Sequence, residues 1–257
     1  MSAACRSALR IGVATAAALT LPLSLPLSLP GLFAGGSGPG TGTVAAAAPD
    51  FRDDIAQRVL ACTGCHGRQG RAASDGYYPR IAGKPAGYLH NQLLNFRDGR
   101  RSYPLMTQLL ENLSDDYLQE IAGYFAGLDI PYPAPQPAAV DPATLARGMA
   151  LVTRGDPSRE IPACAGCHGQ ALTGVVPAVP GLLGLPRDYL NAQFGAWRIG
   201  QRKAQEPDCM ARIAQQLRPE DVAAVSGWLA AQPVPANAKP AAAPAEPMPM
   251  RCGDLGR

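Results

Sequence analysis

The sequence predicts an all-α protein built from two similar domains in tandem, and three observations support this. Apolar residues recur at the three- and four-residue spacing of helices, as in Leu118, Ile121, Phe125 and Leu128, which follow the helix-capping residue Ser114. No stretch of the sequence has the alternating pattern of a half-buried strand. A block in the first part of the chain recurs 101 residues later.

The repeated block covers residues 79–101 and again residues 180–202. Each copy contains Gly-x-Pro-x-x-Tyr-Leu-x-x-Gln, followed in the same register by an aromatic residue, Arg, Gly and Arg. Agreement over so many positions indicates an internal duplication, so two domains of one fold are expected. Within the blocks, residues 88–97 and 189–198 are predicted to form helices.

Proline-rich stretches mark the boundaries between the expected segments. After a linker of extended character, Asp141 and Pro142 fit the N-cap and the first position of a helix. The segments are a first domain over residues 50–130, the linker over 131–140, a second domain over 141–232 and a Pro/Ala-rich, extended tail over 233–257. Each domain is predicted to run helix, cysteine motif, loop, helix, methionine-bearing loop, helix.

The N-terminus has the pattern of an export signal. Residues 1–48 contain Arg6 and Arg10, none of the 20 acidic residues, and a run of alanines at their end. Prolines and a Gly-rich run interrupt the apolar part, which argues against a membrane-spanning helix although the uncharged length would suffice. We therefore expect a cleaved signal peptide and a periplasmic location, with a retained membrane anchor as the alternative.

The charge balance limits the classes of partner. The chain has 23 basic and 20 acidic residues, a net charge of +3, and no basic run. Nucleic-acid-binding proteins present clustered basic residues, so nucleic acid is excluded as a partner. Hydrophobic residues make up 47% of the chain and charged residues 17%, which suits a folded protein.

Two identical cysteine motifs carry the chemistry of the chain. C-x-x-C-H is the signature of covalent haem attachment, in which both thiols add to haem vinyl groups and the histidine becomes the proximal iron ligand. Two haem c groups are therefore predicted. For a single motif, the alternatives are a redox-active cysteine pair or half of a zinc site, and the second copy disfavours both. The residues are Cys62, Cys65 and His66 in the first motif, and Cys164, Cys167 and His168 in the second.

Met106 and Met210 are predicted to complete the iron coordination. They follow His66 by 40 residues and His168 by 42, at matching places after the repeated block. A thioether ligand raises the reduction potential, and a filled axial position favours electron transfer over reactions at the iron. The alternative for either methionine is a core gap-filler. His90, the remaining histidine, is expected on a solvated helix face.

Other repeated residues are candidates for tuning the haems. The carbonyl groups of Pro79 and Pro180 are placed to accept a hydrogen bond from the proximal histidines. Four arginines recur in register and either pair with haem propionates or lie on a solvated helix face: Arg97, Arg101, Arg198 and Arg202.

Cys209 and Cys252 have no equivalents in the first half of the chain. Three interpretations stay open. They form a disulfide that ties the tail to the methionine segment, they are free thiols or contact another chain, or Cys209 is a thiolate iron ligand beside Met210.

With these motifs, the repeated block and the two methionines, residues 50–232 resemble the class I cytochromes c, and specifically the dihaem cytochrome c4 family. The resemblance implies two tandem class I cytochrome c domains, each with one covalently bound haem c and His/Met coordination, packed about a pseudo-twofold axis. It also implies a periplasmic electron carrier, itself not an enzyme, between a respiratory donor complex and a terminal oxidase.

Two other functions compete with this one. The chain is alternatively the haem c subunit of a periplasmic dehydrogenase complex, docked by its tail or associated with the membrane through its N-terminus. A thiosulfate-dehydrogenase-like enzyme would require Cys209 at the iron. A dihaem peroxidase is disfavoured because it needs an open iron, and both halves supply a candidate sixth ligand.

Overall fold

Helices dominate the computed structural model, which describes residues 53–72 and 77–255. The expected signal peptide, residues 1–48, lies outside the described residues. The first half contains α1 (Ile55–Arg58), α2 (Leu60–His66), α3 (Ala86–Arg97), α4 (Pro104–Leu110) and α5 (Asp115–Ala126). The second half contains α6 (Pro142–Arg154), α7 (Cys164–His168), α8 (Arg187–Arg198), α9 (Cys209–Gln216) and α10 (Pro219–Ala230).

The capping residues that the sequence indicates begin their helices in the structure. Ser114 accepts a hydrogen bond from the backbone N–H of Tyr117 at the start of α5. Asp141 accepts from the N–H groups of Ala143 and Thr144 at the start of α6. These helix predictions are confirmed, and no helix in residues 53–72 or 77–255 is long and apolar enough to cross a membrane.

Two short strands were not predicted from the sequence. Strand β1 (Gly174–Val175) pairs antiparallel with β2 (Val179–Pro180). Each strand has only two residues, which is too short to produce the alternating pattern by which strands are recognised. The pair closes the loop that follows the second cysteine motif.

Each half has its own apolar core. In the first half, α3 packs on α5, with Leu118 and Phe125 almost completely buried. In the second half, α6 packs on α10, and Val152 and Leu229 are buried between them. The two helices approach closely at Gly148, where a Cβ atom would clash with the Ala224 carbonyl group.

The Pro/Ala-rich tail, which the sequence predicts to be extended, folds back along the second half. Ala241 exchanges backbone hydrogen bonds with the β1 region, and Cys252 forms a disulfide with Cys209. Near its end, the carbonyl oxygen of Asp254 accepts a hydrogen bond from Asn91 of α3 in the first half. The tail therefore contacts both halves.

Candidate haem-binding cavity

The first C-x-x-C-H motif forms the last five residues of the short helix α2, and the second forms the whole of α7. The glycine after each motif, Gly67 or Gly169, has a φ of 73° or 83° and ends the helix. A Cβ atom on Gly169 would lie 3.1 Å from the carbonyl oxygen of Gly174. Only glycine adopts this conformation without strain, so the chain turns sharply here and leaves the histidine facing inward.

The two histidines are held by carbonyl groups of the following loops. The Nδ1 atom of His66 lies 2.8 Å from the oxygen of Pro79, and that of His168 lies 2.8 Å from the oxygen of Pro180. His66 is 8% exposed and His168 is 7% exposed. This burial lowers the pKa of both imidazole groups. A neutral ring that donates its Nδ1–H to a carbonyl group presents Nε2 as a metal ligand.

A cavity of about 1220 Å³ extends across the two halves. Its lining is mainly apolar and includes aromatic residues from both copies of the repeated block, among them Phe96 and Trp197. It is also lined by the predicted attachment and ligand residues of both halves: Cys62, Cys65, His66, Met106, Cys164, Cys167, His168 and Met210. A large, mainly apolar cavity lined by a buried histidine and a thioether from each half suits a haem in each half.

The methionines lie in helices, where the sequence predicted a loop. Pro104 at the first position of α4 places Met106 in the first turn, and Asp208 caps α9, in which Met210 is the second residue. The Oδ1 atom of Asp208 accepts a hydrogen bond from the N–H of Ala211. Met106 and Met210 are half-buried and pack against the core of their own half.

The other uses of a C-x-x-C motif fit the structure less well. Burial raises the pKa of the Cys62 thiol and raises that of Cys164 to about 12, whereas redox-active cysteines have lowered pKa values. Within the described residues, no group of three or more His, Cys, Asp or Glu side chains is arranged to hold a metal ion.

Arg101 and Arg202 meet where the two halves join, and both line the cavity. The guanidinium of Arg101 donates to Gln92 at 2.9 Å and to Gln193 at 2.8 Å. That of Arg202 donates to the same two amide oxygens and to the hydroxyl of Tyr88. Neither arginine has an ion pair with a carboxylate among the described residues. Two shielded cations at a cavity wall favour an anionic group in the cavity.

The other two arginines of the repeat lie outside the cavity. Arg97 forms ion pairs with Asp98 and Asp115, at 3.0 and 2.6 Å. Arg198, its counterpart in α8, is exposed. Neither residue lines the cavity, and of the two only Arg198 lies on an exposed helix face.

The structure contradicts the interpretation of His90 and decides among the three interpretations of Cys209. His90 was expected on a solvated face, but its Nε2 atom is shielded from solvent and has no hydrogen-bond partner in the described part of the chain. Helix α3 is covered on more sides than its own apolar pattern indicates. Cys209 is bonded to Cys252, which confirms the disulfide interpretation and leaves no thiolate at that position to bind iron.

A pair of glutamines and a lysine also line the cavity, although they are not among the residues that the sequence predicts for the site. Gln92 and Gln193 are part of the repeated block, and their recurrence was the available signal. Lys84 is buried at the cavity wall, where its duplicate is Leu185. Its burial depends on packing between the two halves, which no local pattern encodes.

Comparison with curated proteins finds cytochromes c4 and thiosulfate dehydrogenase electron acceptors, although no family model matches the chain. The chain is 38% identical over 174 residues to the thiosulfate dehydrogenase electron acceptor of Stutzerimonas stutzeri, covering 67% of this chain and 79% of that protein. It is 34% identical over 174 residues to cytochrome c4 of Pseudomonas aeruginosa, covering 67% of this chain and 84% of that protein.

Comparison with solved structures also finds cytochrome c4 and a thiosulfate dehydrogenase, and it shows that they share the fold of this chain. Reduced recombinant cytochrome c4 from Pseudomonas stutzeri matches with a TM-score of 0.59 and 30% identity, covering 68% of this chain and 94% of that one. Thiosulfate dehydrogenase (TsdBA) from Marichromatium purpuratum matches with a TM-score of 0.60 and 34% identity over 67% of this chain. The chain spans only 36% of that structure.

Proposed function

This chain belongs to the cytochrome c4 family of dihaem electron-transfer proteins, and we propose that it carries single electrons through the periplasm from a donor enzyme to a terminal oxidase or another acceptor. Each haem c supplies a one-electron Fe(III)/Fe(II) couple. The chain supplies the attachment sites, the axial ligands and the protein environment that sets the two reduction potentials.

The proposed ligand sets follow the two halves, residues 50–130 and 141–232, which we take as the two domains. In each half, two cysteines would hold the haem covalently, and a histidine and a methionine would bind its iron. The residues are Cys62, Cys65, His66 and Met106 in the first half, and Cys164, Cys167, His168 and Met210 in the second.

One observation carries this proposal: a single cavity contains both complete sets of candidate ligands and continues between the halves. If a histidine and a methionine of each half both bind the iron, neither iron would have an open position for a substrate. Arg101 and Arg202 are placed to pair with haem propionates where the halves join. This arrangement suits electron transfer between two neighbouring haems.

The same geometry favours a carrier over an enzyme acting alone. A thiosulfate-dehydrogenase-like reaction was expected to require Cys209 at the iron, and Cys209 is bonded to Cys252. Met210 is the axial ligand that remains next to it. We therefore propose that the chain exchanges electrons with redox proteins and does not itself oxidise a small molecule.

Besides a respiratory complex, a dehydrogenase is a second candidate for the electron donor, and the name of one relative supports it. The Stutzerimonas stutzeri protein that is 38% identical is a thiosulfate dehydrogenase electron acceptor. By this likeness, we propose a separate thiosulfate dehydrogenase as a donor to this chain. The alternative of a permanent subunit of a dehydrogenase complex would involve the folded-back tail.

The test is reduction of the purified holoprotein, with both haems attached, followed by absorbance. Thiosulfate plus a purified thiosulfate dehydrogenase is expected to reduce two haems per chain, and a terminal oxidase is expected to reoxidise them. Thiosulfate without the dehydrogenase is the control. Reduction in that control would contradict the carrier function, and reduction by a quinol-oxidising complex alone would identify the respiratory donor instead.

A further inference from the structure

Lys84 interrupts the internal duplication at a position that packs against the other half. The residue 101 positions later is Leu185, which belongs to the apolar core of the second half. Lys84 is only 4% exposed, although lysine is rarely buried without a partner. A buried charge where the duplicate has a leucine indicates a role that only one half supplies.

The ammonium group of Lys84 reaches from the first half to the loop that holds the second histidine. Its Nζ atom donates a hydrogen bond to the carbonyl oxygen of Gly181, at 2.9 Å. Gly181 follows Pro180, whose carbonyl oxygen lies 2.8 Å from the Nδ1 atom of His168. Lys84, Pro180 and Gly181 all line the cavity. A residue of the first half thus fixes the loop that orients the proposed iron ligand of the second.

The charge of Lys84 is not balanced by a carboxylate in the described part of the chain. The charged neighbour is Arg80, whose guanidinium donates to the carbonyl oxygens of Ala82, Ile130 and Pro131. Burial, followed by the charge of Arg80, lowers the pKa of Lys84 to about 7. The ammonium group of Lys84 therefore places an uncompensated cation at the loop whose Pro180 carbonyl group lies 2.8 Å from His168 Nδ1.

We propose that Lys84 is a positioning residue of the second haem, which holds the Pro180–Gly181 loop and makes that haem easier to reduce than a neutral side chain would. The proposal rests on the electron-transfer function proposed above. One electron from a redox partner converts Fe(III) to Fe(II) and removes one positive charge from the site, so a nearby cation favours the reduced form. Because Leu185 supplies no such charge, the duplication acquires an asymmetry that favours the electron on the second haem.

The test compares wild type with K84M and K84Q in a spectroelectrochemical titration of the holoprotein at pH 6. K84Q keeps a donor for the Gly181 carbonyl group but removes the charge, whereas K84M removes both. K239M is the matched control, because Lys239 is an exposed lysine. Nuclear magnetic resonance signals of the axial methionine methyl groups in the reduced protein assign each couple to its haem.

Both Lys84 variants are expected to lower the equilibrium constant for reduction of the second haem roughly tenfold, which is about 59 mV for a one-electron couple. The first haem and the K239M control are expected to keep their potentials. An unchanged second haem in both variants, or equal shifts of both haems, would overturn the proposal. Loss of the two one-electron couples in wild type would instead contradict the carrier function. If K84M does not fold, K84Q still provides the test.

Discussion

The backbone of Arg101 pairs with that of Arg202 in an antiparallel bridge, and both guanidinium groups donate to the same oxygen of Gln193 at 2.8 Å. Burial, followed by the charge of Arg202, lowers the pKa of Arg101. Each guanidinium also lies over an aromatic ring, that of Phe96 or Trp197. Two like charges held together in this way are stabilised by anionic groups, and the haem propionates would supply them.

Removal of either cavity arginine is expected to lower the reduction potential of at least one haem. R101M and R202M each remove a cation from the cavity wall, and an effect of roughly 60 mV would correspond to a tenfold change in the redox equilibrium constant. Redox titration of the holoprotein measures the change. R97M is the matched control, because Arg97 belongs to the same repeated block but pairs outside the cavity with Asp98 and Asp115. Equal shifts in R97M and R101M would contradict the proposed propionate pairing.

The glycine after the second cysteine motif is expected to be intolerant of a side chain. Gly169→Ala combines a positive φ of 83° with a Cβ atom 3.1 Å from the Gly174 carbonyl oxygen. We expect a loss of about 1–3 kcal/mol in the free energy of unfolding, measured in denaturant by circular dichroism. Gly195→Ala is the control: this glycine lies within α8 with open space around it, so alanine should stabilise the helix by roughly 0.5–1 kcal/mol.

Asp221 is expected to make the second half sensitive to acid. Its carboxylate is completely shielded, and it accepts hydrogen bonds from the side chains of Arg147 and Arg159 and from the N–H of Arg218. Burial alone would raise the pKa of Asp221, but these donors outweigh it and hold the pKa well below the usual value of 3.8. The depressed pKa contributes stability above pH 3.8 that is lost as the pH falls towards the folded-state pKa.

The variant D221N tests this contribution. At pH 7 it is expected to lower the free energy of unfolding by about 2–4 kcal/mol, because it leaves arginines without their carboxylate. The difference from wild type should shrink between pH 4 and pH 2 in urea titrations, because Asp221 of the unfolded wild type takes up a proton in this range before the folded protein does, whereas the asparagine of D221N takes up none. D115N is the control, since the carboxylate of Asp115 is 69% exposed and should contribute less than about 1 kcal/mol. A pH-independent difference would contradict the assignment.

The disulfide between Cys209 and Cys252 is expected to stabilise the folded-back tail. It links two cysteines that are 43 residues apart in the sequence. The free energy of unfolding of C209S/C252S should therefore be about 2–4 kcal/mol lower than that of wild type. Mild reduction of wild type should have the same effect in the same unfolding assay. Electron paramagnetic resonance of the ferric variant should match that of wild type. A thiolate-type signal present in wild type and lost in the variant would contradict the disulfide.

Local motifs and the duplication predicted most of the candidate ligand residues that line the cavity. The C-x-x-C-H motifs act within one helical turn, so Cys62, Cys65 and His66 were recognisable without tertiary information. The two methionines were recognisable because they occur at matching places in both halves. Their helices were missed, since α4 has only seven residues and its start depends on Pro104.

Residues that depend on contact between the halves were beyond the reach of the sequence patterns. Arg97 and Arg101 recur equally well, but the chain turns at Gly99, so that only Arg101 reaches the cavity. Lys84 gave no repeat signal because it breaks the repeat. The path of the tail was also missed, because its Pro/Ala-rich composition has no periodicity and its contacts are made with distant segments.

The most direct test of two His/Met haems is the near-infrared methionine–iron charge-transfer band of the ferric holoprotein, recorded with the redox titration. M106H and M210H are each expected to lose about half of the band and to lower the potential of one haem, because a histidine ligand favours Fe(III) relative to a thioether. M149L, at a methionine that is 43% exposed on α6, should change neither. A band that is absent from wild type, or that keeps its full intensity in M106H or M210H, would contradict the account.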